Sequence, residues 1–306
     1  MKEKMTLEKL EKQIAEGRGV GLGDSYLPWI RFKKRDTSAY SNQSLVPMPN
    51  LKRLCYFLSG AERRAAHVLW WIGASDVREQ FPLWPWSHPH PLQEIDPATE
   101  RQRHPGMCRV ARDAGIRLFN YQGLKIPTVL SIDLLVTPPA SEGMIPSFLG
   151  VSCKPARVYQ KADACDRTRG RLELDRLYCK SAGLRHLLLH PEQFPRMLTV
   201  QLDWLAPLAT RAFISNLAES VQYRTFIERV VTRVYTTSAD TVAREESKDL
   251  NWSEPFAQFV MRTAMWRQDI DVDLLQPITM TSPLKPGGRA LRTVLRSRFF
   301  GDTAWT

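Results

Sequence analysis

The sequence predicts an α/β protein in which a mixed sheet flanked by helices is followed by a mostly helical C-terminal domain. Three observations carry this reading. Apolar runs with strand character alternate with amphipathic helical segments through the first two thirds of the chain. One of those runs, Val129-Leu130-Ser131-Ile132-Asp133-Leu134-Leu135-Val136, has a single acid among apolar neighbours on both pleat faces, as in a buried strand. Beyond His190-Pro191-Glu192-Gln193-Phe194-Pro195, where two prolines interrupt the pattern, the apolar spacing turns helical.

The elements follow in order. A helix is expected at Leu7–Ala15. Ser59-Gly60-Ala61-Glu62 opens a second, which continues through Ala65, Ala66, Val68, Leu69 and Ile72 and stops near Gly73. Residues 77–83 read as a strand with Arg78 and Gln80 on one face and Glu79 on the other. A loop with Pro138-Pro139 and Gly143 separates the Asp133 strand from one ending in Ser152-Cys153-Lys154-Pro155, so the two suit an irregular hairpin. A helix at 171–180 and a strand at 184–189 complete the first part. Helical spacing resumes at Thr199-Val200-Gln201-Leu202-Asp203-Trp204-Leu205 and in stripes around 213–217, 226–234 and 256–265. Ile270-Asp271-Val272-Asp273-Leu274 then alternates like a strand, and short helices before a hairpin suggest a winged-helix-like module. With 306 residues the chain accommodates two domains, taken as 1–195 and 196–306.

Burying the Asp133 charge costs several kcal/mol unless a cation or strong donors meet it. Pleat alternation puts Ser152 and Lys154 on one face and Cys153 on the other, and Glu62 supplies a second carboxylate. Two acids and a lysine suit phosphodiester hydrolysis. Mg²⁺, or Mn²⁺ in its place, held by Glu62 and Asp133 polarises a phosphoryl oxygen and lowers the pKa of a water, while Lys154 orients that water or neutralises developing charge. Plainer readings stand beside these: Ser59-x-x-Glu62 matches a helix capping box, Asp133 fits an arginine-paired strand-end acid, and Lys154 a solvated strand exit. Glu173, Arg176 and Lys180 at helical spacing read as a solvated face, with Glu173 a further candidate acid.

With 43 Lys+Arg against 32 Asp+Glu, the net charge of +11 favours a polyanionic partner, DNA above an anionic membrane. No apolar run reaches the ~20 residues needed to span a bilayer, and Met1-Lys2-Glu3-Lys4 has no signal-peptide core, so a cytoplasmic location is expected. The five cysteines, Cys55, Cys108, Cys153, Cys165 and Cys179, form no C-x-x-C pair and argue against a structural zinc or a disulfide framework. Trp84-Pro85-Trp86-Ser87-His88-Pro89-His90-Pro91 reads as a rigid extended loop rather than a metal site, its tryptophans free to pack a partner.

These residues resemble the PD-(D/E)xK nucleases and, more specifically, the TnsA family, endonuclease subunits of heteromeric cut-and-paste transposases. The similarity runs through Glu16-Gly17-Arg18-Gly19-Val20-Gly21-Leu22-Gly23, Asp24-Ser25-Tyr26-Leu27-Pro28-Trp29-Ile30 and Leu58-Ser59-Gly60-Ala61-Glu62. It is strongest at Asp76-Val77-Arg78-Glu79-Gln80-Phe81-Pro82-Leu83, then follows Ser131-Ile132-Asp133, Cys153-Lys154-Pro155-Ala156 and Leu172-Glu173-Leu174-Asp175-Arg176-Leu177-Tyr178. The resemblance implies a restriction-endonuclease-like fold, with Glu62 and Asp133 as metal-binding carboxylates and Lys154 as the catalytic lysine. It also implies cleavage of the 5′ strands at transposon ends, beside a DDE-type transposase (TnsB-like) and an ATPase regulator (TnsC-like). Ser152 departs from the family, which usually has glutamine there; a ligand role for the Cys153 backbone carbonyl survives that change, since it does not depend on the side chain.

Arg78 is expected to face the active site or DNA, or to form an edge salt bridge. The tail segment with Arg289, Arg292, Arg296 and Arg298 combines charge with an apolar stripe, as in a helix that docks on DNA or on an acidic partner, or that packs on its own domain. The alternatives to a transposase subunit are a free-standing restriction or repair nuclease of the same fold and a catalytically silent DNA-binding subunit.

Overall fold

The computed structural model describes residues 5–32, 42–139, 148–157 and 165–301, with the side chains of Cys165 and Asp166 excluded; Gly143 and the first four residues lie outside. The chain forms two compact units. The first comprises Met1–Leu45, Cys55–Ala66 and Ala74–Pro191; the second comprises Val46–Leu54, His67–Gly73 and Glu192–Thr306.

The described elements are α1 (Leu7–Ala15), β1 (Ser44–Pro47), β2 (Leu54–Phe57), α2 (Gly60–Trp71), β3 (Asp76–Leu83), β4 (His88–Pro89), β5 (Arg103–His104), α3 (Met107–Asp113), β6 (Leu130–Thr137), β7 (Leu149–Cys153), α4 (Cys165–Ser181) and β8 (Arg185–Leu189). Then come α5 (Arg196–Leu205), α6 (Arg211–Glu219), α7 (Val221–Val230), α8 (Ala239–Asp249), α9 (Glu254–Arg267) and α10 (Gly288–Phe300).

The first unit is built on a four-stranded mixed sheet in the order β3-β6-β7-β8. β3, β6 and β7 pair antiparallel, as expected for the Asp133 hairpin, whereas β7 and β8 pair parallel and are joined through α4. Every residue of β3 is buried, although Asp76, Arg78, Glu79 and Gln80 make half of it polar or charged. Phe81, Leu83, Met107, Val110, Ile132, Leu135, Leu174 and Tyr178 form a core between the sheet and helices α3 and α4. Gly150 permits that packing, because a Cβ there would lie 2.5 Å from Cys179 Sγ and 2.7 Å from Ile132 Cδ1. The segment before β1 folds on itself, the Gly19 amide donating to Leu27 O at 2.6 Å, and is stitched to β3 by the Trp29 amide donating to Gln80 O at 3.2 Å and the Tyr26 hydroxyl to Glu79 O at 3.0 Å. Gly19 has φ +86° and stands where a Cβ would meet Pro82 Cγ at 2.2 Å, so only glycine lets this arm lie flat.

The second unit is helical. Thr210, Ser220, Ser238 and Ser253 each cap a helix by accepting from the backbone N–H three residues on. The end of α2 belongs here, since Trp71 is fully buried and its Nε1 donates to Trp266 O at 2.9 Å, while His67 Nε2 lies 3.1 Å from Asp203 Oδ1. The expected strand at 270–274 does not form. Ile270, Val272 and Leu274 do alternate into the core, but the neighbouring amides bond to Gln268 Oε1 and Lys285 O rather than to a ladder, leaving an extended loop in place of a wing. Among the described residues, no helix is long and apolar enough to cross a membrane.

Candidate active site

Glu62 sits in the first turn of α2, where Ser59 Oγ accepts from its backbone N–H at 3.2 Å. That is half of a capping box, but the carboxylate does not complete it. Glu62 Oε2 accepts from the Leu58 N–H at 2.9 Å and Oε1 from the Ser59 hydroxyl at 2.7 Å, which leaves the group buried and aimed at the sheet. There it feels the charges of Asp133 and Lys154. Burial first, and the Asp133 charge second, push the Glu62 carboxyl up to about 7.

Asp133 lies in mid-strand on β6. Its Oδ2 accepts from the Cys153 N–H on β7 at 2.7 Å. Desolvation raises its pKa against the opposing pull of Lys154, that N–H and Arg171. Lys154 leaves β7 with its N–H donating to Leu189 O at 3.0 Å and its carbonyl accepting from His190 Nδ1 at 2.7 Å, so β8 and the residue after it fix where the lysine emerges. The expected residues Glu62, Asp133 and Lys154 are therefore gathered at one place, beside the Cys153 backbone.

Gln80 joins them, although sequence reasoning assigned it only a strand face. It stands opposite Asp133 in the β3/β6 register, and this is the position where the pairing lapses. Its φ is +50°, a left-handed conformation costly for a residue with a Cβ and held here by three bonds. Its carbonyl accepts from Trp29, its Nε2 donates to Glu62 Oε2 at 2.9 Å, and its Oε1 accepts from Ser131 Oγ at 2.9 Å. No periodicity signals such a residue; the resemblance, strongest over Asp76 to Leu83, marks its segment but gives it no role.

Ser152 bonds to neither Glu62 nor Asp133. Its hydroxyl donates to Asp175 Oδ2 at 2.9 Å and lies 3.0 Å from His186 Nε2, while Arg171 clasps Asp175 and donates to Ser131 O at 2.8 Å. The acid that α4 brings near the sheet is thus Asp175; Glu173 lies on the exposed face, paired with Arg176 as the solvated-face reading expects.

Other expected contacts fall elsewhere. Arg78 is 2% exposed, with its guanidinium over the Phe81 ring and Nη2 at 3.5 Å from Pro91 O, so it does not face DNA as expected, while the charges of Asp76 and Glu94 act on it in its buried place. Arg289 donates to the carbonyls of Gln268 and Asp269, and Arg292 to that of Arg267, so both serve the C-terminal end of α9. Arg296 is exposed. Phe299 is buried and stacks on Phe194, which packs the tail helix on its own unit. His88 and His104 are pushed down to about 4 by burial and lie within 5.1 Å of each other beside Tyr178, whose hydroxyl is 2.9 Å from His88 Nε2. Cys55, Cys108, Cys153 and Cys179 are free thiols.

Among the described residues, no group of three or more His, Cys, Asp or Glu side chains is arranged to hold a metal. The two-carboxylate set nevertheless fits a small hard cation, which characteristically keeps several waters and takes one or two protein carboxylates. Desolvated acids beside one another lose their mutual repulsion when such a cation binds. A pH dependence follows from the Glu62 shift. Its folded-state value near 7 lies above the ordinary 4.5, so the folded chain holds a proton that the unfolded chain releases, and stability falls as pH rises through that window. His88, His104 and His186, all lowered to about 4, act oppositely between their ordinary 6.5 and that value. The difference between wild type and Glu62→Gln isolates the carboxyl. Thermal unfolding without metal should show wild type losing on the order of 2 kcal/mol relative to the variant between pH 5 and 7.5. Parallel profiles would contradict the shift.

No family profile matches the chain. It is similar to the transposon Tn7 transposition protein TnsA of Escherichia coli, 26% identical over 210 residues that cover 68% of this chain and 66% of that protein. The matched region is just under two thirds of the relative's length, and the chain is TnsA-like in sequence across it.

Proposed function

We propose that this TnsA-like chain is a metal-dependent DNA endonuclease subunit of PD-(D/E)xK type, which cleaves the 5′ strands at transposon ends during cut-and-paste transposition. The observation that carries the reading is the desolvated pair Glu62 and Asp133 with Lys154 beside it. Glu62, Asp133 and the Cys153 carbonyl would hold Mg²⁺, or Mn²⁺ as a substitute, and the bound ion would supply Lewis acidity toward the scissile phosphate. The protein's own groups do the rest. Lys154 sets positive charge where the pentavalent phosphoryl group gathers negative charge. The Cys153 N–H fixes the Asp133 carboxylate from the neighbouring strand, and Gln80 fixes Glu62. The Ser152 hydroxyl is committed to Asp175, so the glutamine position of the family is left to structure in this chain.

The partners in this reading are duplex DNA of the transposon ends, a DDE-type transposase (TnsB-like) and an ATPase regulator (TnsC-like), all in the cytoplasm. The excess of basic residues supports the DNA. The test is strand-specific cleavage of labelled transposon-end DNA in Mg²⁺, with and without the partner transposase. Cuts confined to the 5′ strand and dependent on the partner are expected. Cutting without any partner would point to a free-standing nuclease, and DNA binding without cleavage under any condition to a silent subunit.

A further inference from the structure

A cleft of about 660 Å³ opens in the first unit between the loop at 115–119 and helix α4. Leu130 and Leu174 line it, and both belong to or pack against the core of that unit. Arg117, Arg167 and Arg171 also line it, and no acidic residue does. Phe119 stands at its edge, 50% exposed, an unusual exposure for a phenylalanine, and the guanidiniums of Arg117 and Arg167 lie over its ring at 5.6 and 4.9 Å. The volume falls in the range of small-ligand sites. Planar cations and an aromatic ring above an apolar floor match the two halves of a nucleotide, a stacking surface for the base and positive charge for its phosphate.

The cleft is also tied to the carboxylate site. Leu130 opens β6, the strand that carries Asp133, and Arg171 lines the cleft while donating to the Ser131 carbonyl at 2.8 Å. Its charge also acts on Asp133. We infer that this cleft receives an unstacked nucleotide of the DNA strand, next to the phosphodiester that the carboxylates address. The inference rests on the nuclease reading for the identity of the polymer, but its test involves no cleavage. An endonuclease working at a DNA end gains from such a site, because a base held out of the stack fixes the register of the neighbouring phosphate.

The experiment compares the binding of two labelled duplexes to the full chain in Ca²⁺, one fully paired and one with several unpaired nucleotides at one end. Wild type should prefer the unpaired end by about 10-fold, a gain within the range of a single base–aromatic stack. Phe119→Ala should abolish the preference and leave affinity for the paired duplex unchanged, and Phe119→Trp should restore it. Arg117→Ala and Arg167→Ala should each weaken binding of the unpaired DNA and flatten its salt dependence by about one counterion. Since Phe119 is half exposed, its truncation is not expected to alter the thermal midpoint, which serves as the folding control. Equal affinity of wild type for both duplexes, or an unchanged preference in Phe119→Ala, overturns the inference. So does saturable binding of an acidic, tryptophan-containing peptide that Phe119→Ala abolishes while DNA binding is untouched, because the cleft would then serve a protein. If the preference is found and depends on Phe119 but no strand is ever cut, the cleft stands and the nuclease reading falls.

Discussion

Replacing Asp133 by asparagine is expected to remove metal-dependent strand cleavage, a loss of at least about 100- to 1,000-fold, while leaving the fold as stable as before or more so. The two halves of this expectation have one cause. Asparagine keeps an oxygen to accept from the Cys153 N–H, and it removes a charge that desolvation disfavours. A residue kept for packing would lose stability on substitution; one kept for chemistry loses activity and gains stability. Lys154→Ala should abolish cleavage to a similar degree by a different route. Because Lys154 pulls the Glu62 carboxyl down, its removal should move that group still higher and shift the onset of metal binding toward alkaline pH. Single-turnover cleavage beside thermal unfolding reads both effects. Cleavage by Asp133→Asn at the wild-type rate would sink the assignment of the carboxylate pair.

The second large effect belongs to Gln80. Gln80→Ala removes the amide that holds Glu62 Oε2 and keeps a Cβ on a backbone with φ +50°; Gln80→Gly removes the same amide and relieves the backbone. Both should weaken Mn²⁺ binding by about 10- to 100-fold, the usual cost of losing a residue that orients a metal-binding carboxylate. They should differ in stability, glycine being more stable than alanine by about 1 kcal/mol because the left-handed conformation suits it. Titration of Mn²⁺ by electron paramagnetic resonance reports the affinity without any turnover. Undiminished affinity in both variants would show that the bond to Glu62 is incidental.

What the sequence disclosed depended on how local the signal was. The run around Asp133 and the strand ending at Lys154 were legible because a continuous apolar run and a charged exception to it are written in consecutive residues. Glu62 was legible through its helix start, although its carboxylate reaches past the Ser59 amide of the capping box to the Leu58 N–H. Gln80 was hidden because its role is set by backbone conformation and by Trp29 and Ser131, residues far from it in the chain. Arg78, expected to face the active site or DNA or to pair at an edge, is buried instead, because alternation tells which residues share a face but not that both faces are covered. The strand expected at 270–274 failed for a related reason: alternation records burial, and Ile270, Val272 and Leu274 achieve it without a pairing partner. Arg289 and Arg292 looked available to a partner, yet the carbonyls at the end of α9 needed donors first.

The parallel pairing of β7 with β8 bears on when this protein becomes competent during its own synthesis. Glu62, Asp133 and Lys154 have all been made by residue 154, yet the amide of Lys154 is anchored on the Leu189 carbonyl of a strand that ends the first unit. Parallel strands cannot pair until the whole crossover between them exists. A nascent chain still short of that strand carries all the reactive side chains without the frame that sets the lysine. On the proposed nuclease reading, an interrupted translation product that ends before that strand would carry the three side chains without an assembled site.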